Sequence, residues 1–163
     1  MPAASLSLIE PTLLNRPIMT DSDFYASAMA GLPSLIERWL EIGDTTPEKL
    51  GIILADTARI AGLGDPTHDP DGETLRRWAA PASRADHPPT WATRSALFLL
   101  SQMPAHPMPQ TPSQCDGWAW AWIRLRRWES LDQAREALPD WLAPALEARL
   151  STAWHDHGAQ RLL

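Results

Sequence analysis

The sequence is poor in several residue types at once. Of its 163 residues one is cysteine, one is tyrosine and two are phenylalanine, and Lys49 is the single lysine among 14 basic residues. With Cys115 alone no intramolecular disulfide can form, which agrees with a reducing compartment. No apolar run approaches the ~20 residues that span a bilayer. Residues 1–10 lack the basic start and longer apolar run of a secretory signal. The expected location is the cytoplasm, without membrane insertion. Basic side chains are outnumbered by 20 acidic ones, giving a net charge of −6. That balance opposes nucleic acid as a partner, because phosphate binding depends on clustered cations and counterion release.

Site chemistry is scarce as well. There is no G-x-S-x-G, no glycine-rich phosphate loop and no H-E-x-x-H. His68, His87, His106, His155 and His157 include no pair spaced i, i+4, so no two imidazoles share a helix face as metal ligands. Asp69-Pro70-Asp71-Gly72 resembles the middle of a calcium loop. Thr67 and Trp78, however, stand where the first ligand and the bidentate glutamate belong, so an ordinary turn is the expectation. Cys115 falls in the first turn of an expected helix, where the dipole lowers a thiol pKa, but it shares a stripe with Trp118, Trp122 and Leu125 and reads as structural. The sequence therefore points to no catalytic residue, no cofactor and no metal.

Tryptophan and proline are abundant instead, at 9 and 16 residues. Four of the tryptophans lie in Gln114–Trp128. Trp118, Trp120 and Trp122 alternate with alanines as in a strand, yet Thr111-Pro112-Ser113-Gln114 is a helix start: a capping residue, proline at the first position and glutamine three after the cap. A helix from about Pro112 to Arg127 is expected, with Cys115, Trp118, Ala121, Trp122, Leu125 and Trp128 on one stripe and Trp120 and Ile123 on another side. An element apolar on two faces is packed from both sides, or buries one face and offers the other to a partner.

The rest of the chain reads as helices with tight connections. Residues 1–19 carry Leu6, Leu8, Ile9, Leu13, Leu14 and Ile18 between Pro11 and Pro17, an extended apolar arm that lies on its own domain or docks on a partner. Helices are expected from Thr20 to a left-handed terminus at Gly31, from Pro33 to Gly43, from Thr46-Pro47 to Gly62 and from Gly72 to Ala80. A further helix, from Pro89 to Met103, reads as the central buried one. The tract 104–112 is a stiff crossover or a proline-rich ligand. Ser130-Leu131-Asp132-Gln133 opens another short helix. A last one runs from Trp141 or Pro144 to His155, with Gly158 beyond its end. The fold class is all-α: a single compact domain over 20–163 of about seven short helices, with the N-terminal arm ahead of it.

Pro47-Glu48 opening an apolar helix, Trp78-Ala79-Ala80-Pro81, Pro89-Thr90-Trp91-Ala92 leading to Phe98, and the proline tract that follows make residues 47–123 resemble a family of short, uncharacterised proteobacterial helical proteins found near secretion-system gene clusters. Gly51-Ile52-Ile53 departs from the paired aromatic expected in the first of those helices. The resemblance implies an accessory or adaptor role and brings no catalytic residues.

Tryptophan and arginine are the side chains most enriched at binding hot spots. Trp120, Ile123, Arg127 and Trp128 are therefore candidates for a partner surface, against simple packing under a neighbouring helix, and Leu8, Ile9, Leu13 and Leu14 are candidates on the arm. The expected function is a non-enzymatic protein-protein interaction module, an adaptor or accessory subunit of a secretion system. Its partner is another protein or a second copy of the chain. The alternatives are an immunity protein or antitoxin that neutralises a toxin, and a small helical enzyme with dispersed acid and base residues.

Overall fold

The computed structural model describes residues 21–161, and their regular structure is entirely helical. In chain order the α-helices are α1 Asp21–Gly31, α2 Pro33–Ile42, α3 Pro47–Ala61, α4 Gly72–Ala79, α5 Thr90–Leu100, α6 Pro112–Leu125, α7 Leu131–Glu136 and α8 Ala143–Arg161, with a 3-10 turn at Arg84–Asp86. The arm candidates Leu8, Ile9, Leu13 and Leu14 lie outside the described residues.

Local chemistry starts most of these helices. Thr46, Asp71, Thr111 and Ser130 each accept a hydrogen bond from the amide three residues on, satisfying an otherwise orphaned donor at about 1 kcal/mol apiece for the exposed hydroxyl caps. The two glutamine boxes close one residue early: the Gln114 and Gln133 side chains accept from the amides of Gln110 and Glu129, the residues before each cap. At the other end of α3, Gly62 takes the left-handed conformation, at φ 71°.

The helices form two layers. In one, α6 lies between α1 and α8, with α7 against α8; in the other, α2, α3, α4 and α5 pack on one another, and α5 also meets α6. One contiguous core runs through both. Every residue from Asp116 to Ile123 is buried, so α6, not α5, is the deepest element. The two apolar faces of α6 are explained by neighbours on both sides. Its indoles are mostly satisfied: Trp118 donates to Ser34 Oγ at 2.8 Å and Trp122 to the Ala134 carbonyl at 2.9 Å.

Four helix ends differ from the sequence expectations. Gly31 is not left-handed; a Cβ there would collide with the Ser113 carbonyl, and one on Gly117 would press on the backbone of Ala28, Gly31 and Leu32. The two glycines let α1 and α6 approach backbone to backbone. Helix α5 ends at Leu100, and Gln102 and Met103 follow in tighter turns, because Pro104 keeps the residue before it out of helical geometry. Helix α6 stops at Leu125, where Arg126 is extended. Helix α8 runs through Gly158 to Arg161, since an exposed glycine costs a helix only about 1 kcal/mol.

Candidate functional site

The end of α6 helps to build a cleft. Arg94 reaches across from α5 and donates to the Leu63 carbonyl at 2.7 Å and to the Leu125 carbonyl at 3.1 Å. These carbonyls sit at the C-terminal ends of α3 and α6, where the helix dipoles are negative, so one guanidinium satisfies both ends and ties them together. Burial pulls the Arg94 pKa below its ordinary value. Between the tied ends and the last helix opens a cleft of about 800 Å³.

Its walls carry Thr90 and Arg94 from α5, Arg124 from α6, Arg126, Arg127 and Trp128 from the segment after it, and Trp154 and His157 from α8. Ile123 lines the cleft from beneath, almost fully buried. Among the described residues no aspartate or glutamate lines it. Arg124 is the one internally neutralised cation: it pairs with buried Asp156 at 3.1 Å and lies over the Trp120 ring at 3.9 Å. Its pKa is lowered chiefly by burial, against the raising effect of Asp156. The Arg126 guanidinium lies 5.7 Å from the Phe98 ring, and Arg126 and Arg127 are both exposed. Among the described residues neither forms an ion pair with a carboxylate. The cleft thus gathers four arginines, one of them paired with Asp156, on an acidic protein, and a low-dielectric concavity focuses the field of such charges.

Of the partner-surface candidates read from the sequence, Ile123, Arg127 and Trp128 line this cleft. Trp120 does not; it is buried behind Arg124, and its Nε1 has no hydrogen-bond partner among the described residues. Trp128 is half-buried, stacks on Trp122 with centroids 5.7 Å apart and donates to the Trp122 carbonyl at 2.9 Å, so it is a rigid wall. The residues missed from the sequence are Thr90, Arg94, Arg124, Arg126, Trp154 and His157. The run Arg124-Leu125-Arg126-Arg127 was a visible basic cluster in an acidic chain, whereas nothing local marks Arg94, which arrives from 31 residues upstream of Leu125.

Other chemistry-bearing residues are already engaged. His87 Nε2 donates to the Met29 carbonyl at 3.0 Å, and His106, at φ 53°, stacks on Trp141 with centroids 4.8 Å apart. A shallower hollow of about 340 Å³ holds His68, Asp69 and Asp71 beside Trp78 and Trp91. Asp69 pairs with Arg59 at 3.0 Å, and Asp71 caps α4, with its pKa lowered mainly by the Thr74 amide. Cys115 is half-buried, and burial raises its pKa, so it stays a thiol. Against known proteins the chain matches no family model, no curated protein and no solved structure.

Proposed function

We propose that the protein is a non-enzymatic interaction module whose cleft receives an acidic segment of a protein partner. The observation that carries this reading is the arginine lining, with no carboxylate among the described residues, so that an external anion would neutralise Arg126 and Arg127. Trp128 and Trp154 beside them supply rigid aromatic area of the kind found at binding hot spots. An adaptor or accessory role beside a secretion apparatus fits a module of this kind, and the family resemblance supports it.

The test is capture from the native host with the wild-type chain and with the R126E/R127E double variant, followed by light scattering on the eluate. One stoichiometric acidic partner, lost on charge reversal, is the expected result. A partner retained equally by both chains, or none with wild type, would overturn the proposal.

A further inference from the structure

Away from the cleft, one helix keeps an apolar face in water. Five large apolar side chains are exposed among the described residues, Tyr25, Ile52, Ile53, Ile60 and Met108, and three of them belong to α3. Ile60 is 87% exposed. Helix α3 turns Leu50, Leu54, Ala55 and Ala58 to the core and packs on α2, α4 and α5. Its exposed stripe is Lys49, Ile52, Ile53, Asp56 and Ile60, at the spacing that sets residues three, four and seven apart on one side of a helix. None of the five lines the cleft. An apolar stripe rimmed by charges is the pattern of a surface that another chain covers.

The charges identify that chain. Arg59 is shared between Asp56, at 2.9 Å, and Asp69, at 3.0 Å, so the group they form carries one net negative charge. Lys49 forms no ion pair among the described residues, and the Glu48 carboxylate beside it is turned toward Gly72 at the start of α4. The stripe therefore holds an unmatched cation and an unmatched anion two turns apart, with Ile52 and Ile53 between them. Such a stripe is complementary to itself reversed, as a two-fold contact requires. We propose that the α3 face is the contact between two copies of this chain, paired antiparallel about a two-fold axis between Ile52 and Ile53. In this register Lys49 of each protomer meets Asp56 of its partner, Ile52 meets Ile53, and Ile60 lies beside the partner's helix start at Thr46 and Pro47. A parallel pair would set Lys49 on Lys49 and Asp56 on Asp56. An antiparallel pair centred on Asp56 would also bring the two aspartates together. One helix from each copy makes a contact at the small end of specific interfaces, under about 1,200 Å², so the dimer dissociates in the micromolar range.

The experiment is sedimentation velocity on the full chain across the micromolar range. Wild type should pass from monomer to dimer as concentration rises. I52E/I53E, checked as folded by its melting curve, should stay monomeric throughout. K49E and D56K should each weaken the dimer at least about tenfold, because each sets like charges together. K49E/D56K should recover most of that loss, because the pair re-forms with its signs exchanged. A wild-type monomer at every concentration would overturn the proposal; if its Ile60 methyl then shows cross-peaks to residues 1–19, the face belongs to the chain's own arm. A dimer indifferent to I52E/I53E would lie on another face and would overturn it equally. A charge swap no tighter than the single variants would overturn the antiparallel pairing.

Discussion

Two sets of arginines divide this molecule. Where α1, α6 and α8 cross, charge is matched from within: Arg149 binds Asp116 at 2.9 Å, Asp116 accepts from Ser27 at 2.6 Å, and Arg124 binds Asp156 at 3.1 Å. At the cleft, Arg94 rests on backbone carbonyls, Arg126 on an aromatic ring, and Arg127 on nothing among the described residues. Buried ions must be paired or the desolvation penalty goes unanswered, so the first set is tied to folding. Arg94 still serves the fold through the two carbonyls it satisfies, but Arg126 and Arg127, exposed and without a carboxylate among the described residues, have no such task. Those two are available to an external anion.

Substitutions can test that division. Asp156→Ala removes the buried carboxylate that meets Arg124 at 3.1 Å, and should cost about 3–5 kcal/mol in chemical denaturation; a loss below about 1 kcal/mol would erase the distinction between the two sets. Arg94→Ala should cost about 1–3 kcal/mol, because two carbonyls at helix ends lose their donor, and should loosen α3 and α6 together in hydrogen exchange. R126A/R127A should leave stability within about 0.5 kcal/mol of wild type, as surface changes away from packed features do, while removing anion binding. The smallest effect concerns pH. The Asp71 carboxylate has a folded pKa below its ordinary 3.8, so its capping contribution is whole above that value and is lost as pH falls through the lower folded one. Amide exchange in α4, corrected for its intrinsic pH dependence, should speed up only there, and Asp71→Asn should remove the pH step.

The helix starts were legible because they depend on four or five consecutive residues: Thr46-Pro47, Asp71-Gly72, Thr111-Pro112 and Ser130-Leu131 each announce themselves and each is found. Helix ends were less legible. Gly158 looks like a stop but has no neighbour to enforce one, and Gly31 looks like a left-handed cap but answers to Ser113, far along the chain. The cleft was readable only in part for the same reason. Ile123, Arg127 and Trp128 belong to the conspicuous tryptophan segment, whereas Arg94 and His157 reach it from other helices, and their contribution exists only after folding. Trp120 shows the limit of reading aromatic excess as surface, since Arg124 covers its ring with a cation.

The glycine crossing has a bearing on the order of assembly. Ser27 and Ser113, 86 residues apart, are hydrogen-bonded at 3.0 Å beside it, so seating α1 on α6 closes a long loop. Contacts between α2, α3, α4 and α5 span much shorter stretches and carry a smaller closure entropy. Helix α1 is therefore expected to wait for its partner, and the layer that lacks α6 is expected to gather first. Pulse-labelled hydrogen exchange during refolding should protect α3 and α5 before α1. If α1 is protected first, the backbone contact at Gly31 and Gly117 is a nucleus rather than a closing step.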